Sequence, residues 1–247
     1  MKGFFITFEG PDGSGKTTIS TKVQQKLVEM GYDAIYTREP GGIEIAEQIR
    51  KVILDVNNTN MDARTEALLY AASRRQHLVE KVIPALKENK VIICDRFVDS
   101  SLAYQGHARG LGIEKVYEIN KFAIDTVMPD LTLLFDLDPK LGLERISANK
   151  SREVNRLDLE KLEFHKLVRE GFLIIENLEP NRVKKVDASK TIEEVFNDAY
   201  SLILEALNKL YDLLEEYGPE ALEEAYKYAE ENGYIDQLEA YAEELLV

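Results

Sequence analysis

Residues 10 to 17 read Gly-Pro-Asp-Gly-Ser-Gly-Lys-Thr, a full match to the spacing G-x-x-x-x-G-K-[ST]. That spacing serves the capture of a polyphosphate. Glycines at 10, 13 and 15 let the backbone bend with its N–H groups pointing inward, and a helix starting at the loop's end favours negative charge there. Lys16 would reach the terminal phosphates, and Thr17 would ligate magnesium. Gly10, Pro11, Asp12, Gly13, Ser14, Gly15, Lys16, Thr17 and Thr18 therefore form the candidate phosphate-binding set. A plain glycine-rich turn is the alternative. Against it stand the strand-like run Phe4-Phe5-Ile6-Thr7-Phe8 just upstream and the helical stretch from Thr17-Thr18 to Leu27.

A second acid belongs with this loop. Asp95 ends the apolar run Val91-Ile92-Ile93-Cys94, so its carboxylate emerges at a strand tip, where it could hold a magnesium hydration shell with Thr17. Arg38, Arg50, Arg74, Arg75, Arg96, Arg109, Arg145, Arg152 and Arg156 fall largely in loops or helix ends near the expected strand tips. Arginine suits phosphate because its fork donates two parallel hydrogen bonds. Phosphoryl transfer between two nucleotides needs such cations, since donor and acceptor repel until they are neutralised. For Arg75, Arg109 and Arg145 a surface ion pair worth under about 1 kcal/mol is an equal alternative. The polar, basic stretch 149 to 156 reads as a mobile lid. His77, His107 and His165 form no metal-ligand pattern and read as surface or packing residues. Cys94, the single cysteine, reads as a buried structural thiol.

These residues need a scaffold that brings distant loops to one edge. Phe4 to Phe8, Ala34 to Thr37, Val91 to Cys94, Leu131 to Leu137 and Val183 to Val186 read as strands between helical stretches. Near-continuous apolar strands separated by helices imply parallel pairing with both faces covered, a doubly wound three-layer α/β fold. Ligands in such folds bind beyond the strands' carboxyl ends, here Glu9 to Thr17, Arg38 to Gly42, and Asp95-Arg96. A chain of 247 residues suits one such domain with a small addition. It has no apolar run long enough to span a bilayer and no charged-then-apolar leader, so a cytoplasmic location is expected.

The net charge of −14 argues against binding a nucleic acid polymer through bulk electrostatics. That charge is also uneven. Residues 211 to 247 carry twelve acidic residues and one basic residue, Lys227, whereas the rest of the chain is nearly neutral. The boundary is set at 210, with 211–247 as an acidic helical extension. The last body helix starts near Ile192 and its apolar stripe continues through Leu213, Leu214 and Tyr217 to Gly218-Pro219, a stop followed by a restart. Two amphipathic segments follow, about 219–231 and 235–246, divided by Asn232-Gly233 and giving a helical hairpin. The hairpin's regularity in Glu, Ala, Leu and Tyr resembles an idealised sequence, so an engineered fusion stands beside a partner-binding module and a passive extension.

Five segments together make the resemblance specific: Gly10 to Thr17, Thr37 to Gly42, Tyr70 to Arg75, Asp95-Arg96-Phe97, and Asp99 to Gly106. In this order they resemble bacterial thymidylate kinase, over about residues 3 to 210. The resemblance implies a homodimer with five parallel strands that transfers phosphate from ATP to dTMP with Mg²⁺, giving dTDP. It implies Tyr70 on the thymine face, Arg74 on a thymine carbonyl, and Ser101 and Gln105 at the base edge. Tyr104 would lie under the sugar and disfavour a 2′-hydroxyl. Arg50 and Arg96 would hold the acceptor phosphate, with Glu39 and Pro40 in the same pocket and Asp12 on the 3′-hydroxyl. The phosphate loop carries no arginine, which resembles the bacterial branch and shifts the catalytic cation to Arg152, with Arg156 as a second candidate, beside Lys16 and Arg96. Val186-Asp187-Ala188 resembles the loop bordering adenine. No acid–base group is required, because the acceptor phosphate is already nucleophilic. Two other readings stay open: a kinase for another nucleoside monophosphate, and a kinase body that mainly presents the acidic module to a protein partner.

Overall fold

Strands that are apolar on both faces need cover on both sides, and the sequence supplies helices between them to provide it. The computed structural model describes residues 3–148 and 155–218. Its strands are β1 (Phe4–Glu9), β2 (Ala34–Arg38), β3 (Val91–Asp95), β4 (Leu131–Asp136) and β5 (Val183–Asp187). They form one parallel sheet in the order β2-β3-β1-β4-β5. Every residue of β1 and β3 is buried. The chain leaves β1 to one side and later returns to its other side as β4, so the switch point falls at the tip of β1, where the phosphate loop begins.

Strand ends differ from the expected ones by single residues. β1, β2, β3 and β5 each take in one further polar residue, Glu9, Arg38, Asp95 and Asp187, while β4 stops one residue short of Leu137. The ladder explains this: Phe8 and Arg38 both stand level with Asp95, and Asp136 stands level with Asp187. Backbone pairing continues under polar side chains, which burial pattern alone does not register.

The helices are α1 (Lys16–Glu29), α2 (Glu44–Leu54), α3 (Ala63–His77), α4 (Ile83–Lys87), α5 (Val98–Ser101), α6 (Ile113–Ile124), α7 (Pro139–Ala148), α8 (Leu162–Leu178) and α9 (Ile192–Tyr217). Asp62 starts α3 by accepting from the amides of Arg64 and Thr65 at 3.0 and 3.2 Å. Wider π-type turns occupy Leu78–Val82 and Leu102–Ala108. The second carries Tyr104 and Gln105, and such turns often re-aim side chains at functional sites. Residues Gly3–Tyr200 form one compact unit, and the expected boundary at 210 falls further on, inside the unbroken α9. Gly218 follows α9 with φ 76°. The helical segments expected over 219–231 and 235–246 lie outside the described residues.

α8 packs closely on the Leu102–Ala108 turn because Gly171 has no side chain. A Cβ there would stand 2.9 Å from the Cα of Ala103. Beside this contact the ring of Tyr104 meets those of Phe164 and Phe172 edge-on, each at 6.2 Å. Gly171→Val should therefore destabilise the fold by about 1–3 kcal/mol through overpacking. Urea denaturation measures this, and an unchanged midpoint would show that α8 and the turn can separate freely.

Candidate active site

The loop after β1 curves because three glycines sit at positive φ: Gly10 at 137°, Gly13 at 78° and Gly15 at 85°. Two of them also permit close approach. A Cβ at Gly10 would overlap the carbonyl of Phe135, and one at Gly13 would overlap the carbonyl of Gly142. Lys16 folds back into the curve, its Nζ donating to the carbonyls of Gly10 and Pro11 at 2.9 and 2.8 Å and to Ser14 Oγ at 3.1 Å. Burial, together with nearby Arg96, pulls the Lys16 ammonium down to about 7 against the raising effect of Asp12, Asp95 and Glu9. Arriving phosphate would reverse that. Thr17 donates its hydroxyl to Asp95 at the tip of β3.

Arg96 follows Asp95 in the left-handed region, φ 73°, with its amide donating to the carbonyl of Phe8 at 3.0 Å. Its guanidinium donates to the Gly10 carbonyl at 3.1 Å, Ser100 Oγ at 2.9 Å, Asp12 Oδ1 at 2.7 Å and Tyr104 Oη at 3.2 Å. It also lies over the Tyr104 ring, 5.1 Å from the centroid. Tyr104 in turn donates to Asp12 Oδ2 at 2.7 Å. Burial works against the Asp12 charge, but Arg96 and Lys16 outweigh it and hold the carboxyl down at about 2.

A cavity of about 460 Å³ opens in front of these groups. Asp12, Gly13, Gly15, Lys16, Thr17 and Thr18 line its donor side; Glu39, Pro40, Arg50, Tyr70, Asp95, Arg96, Tyr104 and Gln105 line the rest, with Arg38 and Arg145. The Pro40 carbonyl accepts from Arg50 at 2.9 Å and from Arg38 at 3.3 Å, keeping two cations at one rim. Arg145 donates to the Ala188 carbonyl at 3.0 Å, beside the Val186-Asp187-Ala188 segment. A phosphate loop, an oxygen pair at Thr17 and Asp95, and three facing arginines can hold two anionic groups near each other.

A family model described as thymidylate kinase matches residues 8–199. The chain belongs to the thymidylate kinase family. The thymidylate kinase of Anoxybacillus flavithermus is 62% identical over 209 residues, all of that relative and 85% of this chain. That of Clostridium novyi is 63% identical over 197 residues, 96% of it and 80% of this chain. Among solved structures, the thymidylate kinase from Ehrlichia chaffeensis superposes with a TM-score of 0.67 at 33% identity, covering 83% of this chain and 99% of that one.

Within this thymidylate kinase fold several expected site residues lie off the cavity wall. Arg74 and Ser101, expected at the base edge, sit behind it. Arg74 is 1% exposed and donates to Glu39 at 2.8 Å, Ser101 at 3.1 Å, the Phe97 carbonyl at 2.8 Å and Asn120. Arg156, expected on a lid, is buried and donates to Glu66 at 2.5 Å and to the Ile53 carbonyl at 3.0 Å. Arg109 pairs with Glu160 at 2.6 Å and Glu66 at 3.4 Å, and Arg75 reaches the Ala123 carbonyl at 3.3 Å. Arg152, with the rest of 149–154, lies outside the described residues. His77 is more than packing: it bridges Thr37 at 2.7 Å and Glu39 at 2.9 Å.

Sequence reasoning placed Glu9 at the ligand-binding edge of the sheet but gave it no role of its own. Its carboxylate accepts from the Phe97 amide at 2.6 Å, the Ser100 amide at 3.3 Å and Ser100 Oγ at 2.6 Å, and Ser100 then meets Arg96. Burial, with Asp99 nearby, pushes Glu9 up to about 7 against the opposing pull of Arg96. A carboxyl raised in the folded chain keeps its proton where the unfolded chain has released it. Its favourable contribution is whole below about pH 4.5 and gone once the pH has risen through 7. Relative to Glu9→Gln, wild type should lose on the order of 3 kcal/mol across that window. Urea denaturation at pH 4.5 and 8 reads the difference; a pH-independent gap between the two proteins would refute the buried charge.

Proposed function

We infer that the chain transfers the γ-phosphate of ATP to dTMP, giving dTDP and ADP. The cavity supports this reading most directly, because it joins a phosphate loop on one side to Arg38, Arg50 and Arg96 on the other. On this reading the loop amides and Lys16 hold the donor phosphates, while Arg50 and Arg96 hold the acceptor phosphate in line with them. The acceptor oxygen is already anionic, so positioning and charge neutralisation account for most of the rate. Tyr70 stacks on the base, Tyr104 lies under the sugar, Asp12 meets the 3′-hydroxyl, and Gln105 faces the base edge. Arg74 and Ser101 support that wall from behind, through Glu39 and Phe97.

The Thr17 hydroxyl and the Asp95 carboxylate form an oxygen-only donor set, which suits Mg²⁺. Bound there with ATP, the ion would neutralise charge on the phosphates. Arg152 is the proposed lid cation. Arg156 is held on Glu66 and is not free for that role. The reading also takes the protein as a cytoplasmic homodimer, with 211–247 an appended module outside catalysis. Leu68 on α3 and Phe122 on α6 are exposed, Phe122 by 91%, as residues of a covered face would be in a single copy. Among the described residues no helix is long and apolar enough to cross a membrane.

Steady-state phosphorylation of dTMP, dUMP, UMP and AMP with ATP and Mg²⁺ tests the reading, run on the full chain and on one ending at Leu210. dTMP should give the highest kcat/KM in both, and chelation of the metal should abolish turnover. A better substrate than dTMP would overturn the acceptor assignment, and a collapse of activity on truncation would overturn the separate role of 211–247.

A further inference from the structure

Gln105 lines the cavity, and the chemistry of Glu66 dictates which end of its amide faces inward. Glu66 lies in the first turn of α3 and is 1% exposed. Gln105 Nε2 donates to Glu66 Oε1 at 2.8 Å. Arg156 donates to Oε2 at 2.5 Å, and Arg109 reaches both oxygens at 3.4 Å. A carboxylate set among guanidinium groups only accepts. The amide nitrogen of Gln105 must therefore turn toward Glu66, and its carbonyl oxygen must turn away. The reverse orientation would set two acceptors against each other in a dry site with no proton between them.

We propose that Glu66 is a specificity-determining positioning residue: by holding the NH₂ of Gln105, it leaves Gln105 Oε1 as the hydrogen-bond acceptor at the base edge. The proposal rests on the reading of this cavity as a dTMP site. An acceptor there is satisfied by a ring N–H, which thymine and uracil carry at N3. Cytosine presents an unprotonated N3, a second acceptor, and leaves Gln105 unpaired. Discrimination between ring types thus depends on a residue that does not touch the base, acting through Gln105. The 5-methyl group is not sensed by this contact, so it treats dTMP and dUMP alike.

The test is kcat/KM for dTMP, dUMP and dCMP in wild type, Glu66→Gln, Arg109→Gln and Gln105→Met. A glutamine at 66 can donate or accept, which frees Gln105 to turn over. The dTMP-to-dCMP ratio should fall at least about tenfold in Glu66→Gln while the dTMP-to-dUMP ratio holds. Arg109→Gln disturbs the ion pairs but spares the Gln105 contact, so it should keep both ratios. Gln105→Met leaves the Glu66 ion pairs in place and should also lose the dTMP-to-dCMP preference, which keeps the idea testable if Glu66→Gln does not fold. A Glu66→Gln enzyme in which all three substrates fall in proportion overturns the proposal, as does a Gln105→Met enzyme that keeps its ratio. Wild type that fails to prefer dTMP over dCMP would instead remove the dTMP reading itself, before any variant is compared.

Discussion

The guanidinium of Arg96 donates at once to the Gly10 carbonyl, the Ser100 hydroxyl and the Asp12 carboxylate, so the phosphate loop and the wall facing it share one cation. Its position follows from the sheet order. β1 and β3 are neighbours, Phe8 stands level with Asp95, and the residue after Asp95 has to turn sharply to stay over the tip of β1. A left-handed arginine costs roughly 1–2 kcal/mol, and the hydrogen bond from its amide to the Phe8 carbonyl together with four side-chain contacts holds it there. Behind it, Glu9 fixes Ser100 and the Phe97 amide, so the sharp turn rests on a buried carboxylate. Phosphates arriving on either side would compete with Asp12 for the same guanidinium, which links occupancy of the two halves.

The chemistry legible in the sequence was of the contiguous kind. A phosphate loop needs its glycines, lysine and threonine in one unbroken run, and strand tips show themselves where apolar runs give way to Asp95 or Arg38. The central strands β1 and β3 could be read because they are buried on both faces, and the edge strands β2 and β5, covered only in part, from shorter apolar runs. Pairing between distant residues left no such trace. Nothing local to Arg74 or Arg156 distinguishes them from Arg50, yet Glu39 and Glu66 hold the first two out of water while Arg50 lines the cavity. The Glu66 cluster draws on α3, the Leu102–Ala108 turn, Arg109 and Arg156, which are far apart in sequence and meet only in the folded chain. His77 likewise gained its partners at 37 and 39 from tertiary contact rather than from any motif.

This pairing gives the cavity two electrostatically different ends. Near the loop, Lys16, Arg38, Arg50 and Arg96 face the opening; Arg38 pairs with Glu47 and Arg96 with Asp12, each at 2.7 Å, while the Pro40 carbonyl holds Arg50 without cancelling its charge. On the wall built around α3, Glu39 is matched by buried Arg74, and Glu66 by buried Arg156 with half-buried Arg109, so that wall offers polar groups with little net charge. Coulombic attraction in a partly dry cavity is stronger than in water, so the loop end draws phosphate and the α3 wall does not. A nucleoside monophosphate entering reversed would leave its phosphate against neutralised carboxylates and its base beside the arginines of the loop end. The buried arginines Arg74 and Arg156 neutralise Glu39 and Glu66 at one end of the site, which a fully exposed arginine could not do as well.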